Sequence, residues 1–183
     1  EIRGAQRNYG DRFAGNNSAA TAKDFGNLTS PTVRSVIEKL LSTNGSTGAN
    51  GTSADWFKFT LSSTQNVAIT VAPQGGTYAN GQQSSGCNPT NPGSINATQA
   101  GNLNLELLDS SGGTVLNSAT SAAAGSNEVL NLTNLAAGTY AVRVFDVGPN
   151  TAQTVQLYDL TIRVGASKAP PLVFAGINKR VPT

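Results

Sequence analysis

Asn127–Val164 reads NEVLNLTNLAAGTYAVRVFDVGPNTAQTVQLYDLTIRV and decides the fold class. It holds three runs rich in Val, Leu, Ile and Tyr, parted by Gly, Asn and Pro. In the second run Tyr140, Val142 and Val144 alternate with Thr139, Ala141 and Arg143. In the third, Tyr158, Leu160, Ile162 and Val164 alternate with Asp159, Thr161 and Arg163. An apolar period of two describes a strand with one buried face. Gly138 before the middle run and Gly148-Pro149-Asn150 after it supply turn chemistry, because Gly tolerates positive φ and Pro and Asn favour tight reversals. The three runs are expected to form an antiparallel meander.

Working outward, the same pattern recurs. Asp55–Leu61 places Phe57, Phe59 and Leu61 on one face and Trp56, Lys58 and Thr60 on the other. Asn66–Val71 directs Val67, Ile69 and Val71 inward, and Leu103, Leu105 and Leu107 alternate with Asn102, Asn104 and Glu106. Asp109–Gly113 reads as a turn and Thr114–Leu116 as a short returning strand. Gln74–Ala100, rich in Gly, Asn, Ser and Pro, reads as a surface excursion between strands. Ser30–Ser42 supports two readings. Val33, Val36, Ile37, Leu40 and Leu41 have helical spacing with Ser30 and Pro31 placed to start a helix, whereas early β-branched residues favour a strand. The sum is an all-β chain, an antiparallel β-sandwich of about eight strands.

Composition narrows the function. Only 12% of the 183 residues are charged, with 12 Lys and Arg against 10 Asp and Glu. Clustered cations for phosphate are lacking, so nucleic acid is not expected as a partner, and no run of 18 apolar residues offers a membrane span. With no Met, the chain is expected to be a piece of a longer protein. There is no His, which rules out a Ser-His-Asp triad, a Cys-His pair and a zinc-binding H-E-x-x-H helix within these residues. The lone Cys87, in Gly86-Cys87-Asn88-Pro89, has no neighbouring His or Lys to lower its pKa and reads as a loop or packing thiol, with an intermolecular bridge as the alternative. Glu106, Asp109, Asp146 and Asp159 read as solvated surface charge rather than as a catalytic pair.

Certain stretches resemble known families. Asp55-Trp56-Phe57-Lys58-Phe59, Asn102–Asp109 (NLNLELLD) and Ala137–Val144 (AGTYAVRV) resemble the bacterial pre-peptidase C-terminal domain. So does the entering segment, on Phe13, Asn16, Ser18, Thr21, Ala22 and Gly26, although Ala14 and Asn17 stand where that family commonly carries Glu and Asp. Glu1–Gly10, EIRGAQRNYG, reads as the end of a helix and is similar to the last helix of matrixin-type zinc metallopeptidases on Glu1, Ile2, Gly4, Gln6, Tyr9 and Gly10. Leu172–Thr183 resembles the first strand of polycystic-kidney-disease-type modules. These resemblances imply a helix remnant at 1–10, a jelly-roll sandwich at 11–165, and a linker with the start of a further module at 166–183. They also imply a non-catalytic accessory module of a secreted or cell-surface, matrixin-like zinc endopeptidase, with the zinc in a domain upstream. The alternative is an adhesive module of a surface protein without an active protease.

Two sets of site residues follow. Trp56, Lys58, Arg143 and Phe145 lie off the inward register and could stack on a sugar or pack on an extracellular peptide. The competing reading is that the entering segment or a neighbouring module covers them. Relatives that bind calcium use the entering segment and the loop before the Asp-Trp-Phe strand. Here those positions hold Asn16 and Asn17 beside Ala14, and Asn50 and Ser53 before Asp55. With Asp55 as the single carboxylate, calcium is expected to bind weakly or not at all.

Overall fold

Alternation becomes structure first in β3 (Ala54–Leu61), where Phe57, Phe59 and Leu61 are almost entirely buried on one side. The computed structural model describes residues 13, 15–42, 54–80, 93–120, 122–147 and 154–165. The other strands are β1 (Lys23–Asn27), β2 (Thr32–Ser42), β4 (Gln65–Gln74), β5 (Thr77–Asn80), β6 (Gly93–Asn96), β7 (Leu103–Asp109), β8 (Val115–Ala119), β9 (Glu128–Leu135), β10 (Gly138–Asp146) and β11 (Thr154–Val164). A single 3-10 turn covers Ala97–Gln99. A five-stranded sheet in the order β1-β3-β10-β7-β8 faces a four-stranded sheet in the order β2-β11-β4-β9, and β5 and β6 form a separate hairpin. Successive strands cross between the sheets except at the β7–β8 hairpin, the wrapping of a jelly roll. All pairings are antiparallel save β1 with β3.

The core lies between the sheets, where Phe57, Leu105 and Val142 from one meet Ile69, Leu160 and Ile162 from the other. Each such side chain contributes about 1.5–3 kcal/mol on leaving water. Phe25 of β1 stacks on Phe57 with centroids 5.6 Å apart, and Phe13 meets the same ring edge-on at 6.4 Å.

The structure corrects the expected meander. β9 pairs with β4, β10 with β3 and β7, and β11 with β2 and β4, so the three runs alternate between sheets. The link between β9 and β10 is an arch, held where the Tyr140 hydroxyl donates to the Ala136 carbonyl at 2.9 Å, as in the tyrosine corners of other sandwiches. Residues 32–42 are strand, paired with β11 through eleven consecutive positions, so the helical spacing there is not used. Val33 and Ile37 sit exposed on the outer face. Strands also occur within the entering segment, as β1, and within the Gln74–Ala100 excursion, as the β5–β6 hairpin. The helix remnant at 1–10, Cys87 and the module start at 166–183 lie outside the described residues, and among those described no helix is long and apolar enough to cross a membrane.

Candidate functional site

Three central strands carry a row of chemistry on the outer face of the five-stranded sheet. Pairing sets Arg143 of β10 opposite Trp56 of β3 on one side and Glu106 of β7 on the other. The Arg143 guanidinium meets the Glu106 carboxylate at 2.6 Å and lies over the Phe145 ring at 4.6 Å and the Trp56 ring at 5.5 Å. An ion pair flanked by two aromatic faces keeps the guanidinium in place, since the rings attract it as the carboxylate does. Lys58 lies one row away, half-buried, opposite Ala141. Three of the four expected binding residues therefore form one cluster.

The rings are not open, however. Trp56 is 8% exposed and Phe145 6%, in a second small core with Ala54, Leu108 and Ala141 against which Ala19 and Ala22 pack. The entering segment is stitched to β3 at that point. Trp56 N–H donates to the Asn16 carbonyl at 2.7 Å, and Asn16 Nδ2 donates to the Trp56 carbonyl at 3.2 Å. On its other flank the β7–β8 turn closes in. A Cβ on Gly112 would stand 2.8 Å from the indole and 2.5 Å from the Ala19 Cβ, and its φ of +75° suits glycine.

Among the carboxylates, Glu106 and Asp146 depart furthest from the solvated surface reading, and Asp159 is half-buried. Glu106 is buried with Arg143, and Asp146 is 2% exposed and accepts from Asn102 N–H at 2.8 Å. Both lie in the middle of, or at the end of, strands whose two faces are covered, which alternation alone does not reveal. Asp109 is half-buried at the end of β7, its Oδ1 accepting from Ser111 N–H, Ser111 Oγ and Gly113 N–H. Its pKa is lowered to about 2, chiefly by the Ser111 hydroxyl; desolvation opposes this, and Gly113 and Thr114 add to it.

Of the calcium candidates, Asp55 is buried on the inward face and its Oδ2 accepts from the Tyr158 hydroxyl of the opposite sheet at 2.6 Å. Asn16 is buried with its Oδ1 lacking a hydrogen-bond partner, whereas Asn17 is exposed; Asn50 and Ser53 lie outside the described residues. One carboxylate that already holds a hydroxyl is a poor match to a hard divalent cation, which takes six or more oxygens and favours several charges. No group of three or more metal-binding side chains occurs among the described residues. Sequence reasoning missed Gln156, buried on β11. It accepts from Gly101 N–H at 2.9 Å and donates to the Ala97 carbonyl at 3.2 Å and the Gln74 carbonyl at 3.3 Å.

Chemically this is a set of cross-links. The hydroxyl pairs Thr60–Thr139, Ser35–Thr161 and Ser18–Thr21 face each other rather than a base.

Against known proteins, a family model described as the bacterial pre-peptidase C-terminal domain matches residues 53–146. Among solved structures, the pre-peptidase C-terminal domain of a collagenase from Bacillus anthracis is similar at 15% identity, covering 78% of this chain and 94% of that one, with a TM-score of 0.44. A periplasmic inhibitor of g-type lysozyme from Aeromonas hydrophila, PliG, is similar at 12% identity over 78% of this chain and 98% of that one, with a TM-score of 0.36. No curated protein matches.

Proposed function

Because the chain belongs to the bacterial pre-peptidase C-terminal domain family, we propose that it is the accessory module of a secreted or cell-surface, matrixin-like zinc endopeptidase, tethering that enzyme to its substrate, to matrix or to the cell surface. Domains of this family are non-catalytic companions of secreted peptidases. The observation that carries the reading is the extent of the match, which runs from the start of β3 to the end of β10 and takes in the Trp56–Arg143–Glu106 row. The likeness of Glu1–Gly10 to a closing matrixin helix supports the choice of parent enzyme.

Two measurements test this. The parent sequence upstream of Glu1 is expected to contain H-E-x-x-H-x-x-G-x-x-H; its absence would overturn the matrixin assignment. Deleting the module from the parent is expected to lower cleavage of insoluble protein matrix and leave cleavage of a short soluble peptide unchanged. Equal loss on both substrates would point to a folding role instead.

A further inference from the structure

The outer face of the four-stranded sheet carries a trough that the role above does not use. Its floor is β4, whose outward residues there are the small Ala68 and Thr70. Cross-strand register puts Ala68 between Arg163 of β11 and Asn131 of β9, and Thr70 between Thr161 and Val129. Val33 of β2 stands beyond Arg163. The concavity is about 970 Å³ and reaches from Asn66 to Thr70 along β4, four steps of roughly 3.3 Å. Its walls leave apolar area open, with Val33 56% and Val129 43% exposed.

Three features specify an occupant. Arg163 is exposed, is the one charged residue among the described residues lining the trough, and has no ion pair among them, so the complementary group is an anion. Asp159, the nearest carboxylate on the same face of β11, lies two rows away opposite Ala72 and Ile37. No aromatic ring occurs in the described lining, so a sugar finds no stacking surface, while Thr70, Asn131 and the Nδ2 of Asn66, whose Oδ1 already accepts from Asn134 N–H at 2.9 Å, offer polar groups at two-residue intervals along the floor. The floor runs parallel to a strand. We propose that the trough binds an extended polypeptide segment of another protein, one acidic side chain forked by Arg163 and small apolar neighbours resting on Val33 and Val129.

The test titrates the 183-residue chain, followed by amide NMR, with acetyl-Thr-Val-Asp-Val-Thr-amide and with the same peptide carrying Asn or Lys in place of Asp. The acidic peptide is expected to shift amides at 66–70, 129–133 and 163–165, and to bind at least about tenfold more tightly than the Asn peptide, the worth of one charge-assisted contact. Arg163→Glu is expected to abolish that preference and transfer it to the Lys peptide, the spectrum itself reporting that the variant is folded. Shifts elsewhere, no shifts up to about 10 mM peptide, or equal binding of Asp and Asn peptides would each overturn the proposal. Because the readout needs no parent peptidase, failure of the accessory role and failure of this site are distinguishable.

Discussion

Arg143 and Glu106 each keep only 12% and 11% of their side chains exposed, so each relies on the other for the solvation it has lost. Arg143→Met is therefore expected to destabilise by about 3 kcal/mol, leaving a carboxylate stranded, and adding Glu106→Leu should recover much of that. A double-mutant cycle in urea measures this, and strictly additive losses would deny the coupling. Sequence placed Arg143 on an outer face, yet it could not name Glu106 as its partner, since register between strands 37 positions apart is set by the whole sheet. Asp109 tests electrostatics of the opposite kind. Its folded pKa of about 2 lies below the ordinary 3.8, so its ionised form favours the native state. That contribution is complete above about pH 4 and is lost as pH falls toward 2. Its place at the surface end of β7 lets solvent screen it. Asp109→Asn is expected to lower the melting temperature above about pH 4, pH 7 included, and to converge with the parent as pH falls toward 2, so that its curve is the flatter over this acid window. Parallel curves for both proteins would contradict the assignment.

At the level of elements, the arch between β9 and β10 turns on Tyr140, which is 8% exposed and anchored to Ala136. Tyr140→Phe should cost about 1 kcal/mol for the lost hydrogen bond, and Tyr140→Ala about 3–5 kcal/mol as for other large aromatic truncations. A loss below about 1 kcal/mol for the alanine variant in urea melts would mean the ring is not part of the core. The β7–β8 turn offers a second case. Gly112→Ala puts a Cβ into the space of Ala19 and Trp56 at a left-handed φ, and more than about 1 kcal/mol should be lost. Inward faces were legible residue by residue, because Tyr140, Val142, Val144, Leu160 and Ile162 report their side of the strand directly. Which sheet each strand joins was not. Alternation is a local property, while a hairpin and an arch differ in the path of a few residues such as Ala136 and Ala137. β1 escaped notice for a related reason, since KDFGN has a single inward ring, Phe25, and draws its order from Phe57 and from pairing with β3.

For the molecule as a whole, the sheets hold together through Asp55–Tyr158 and the apolar core, with no bound ion invoked. Calcium at about 1 mM is accordingly expected to raise the melting temperature by less than about 10 °C, since a greater shift needs linkage on the order of 2 kcal/mol or more. A larger rise, reversed by chelator, would show that Asn16 and Asp55 belong to a true cation site. The route of the chain through the sandwich has a mechanical consequence. It comes in beside the first residues of β3, where Asn16 brackets Trp56, and it leaves at Gly165, whose N–H donates to the Asn66 carbonyl beside the far end of the same strand. Those ends are separated by eight residues of strand, roughly 25 Å. Anything attached on both sides is pulled from opposite ends, along the strands rather than across them. Tension then loads β11 in shear against eleven paired positions on β2 and eight on β4 at once, instead of unzipping them singly. Under flow such a body carries tension as a tie whose β11 end resists as a unit, and any domain joined to it there whose strands can be peeled one bond at a time would yield first.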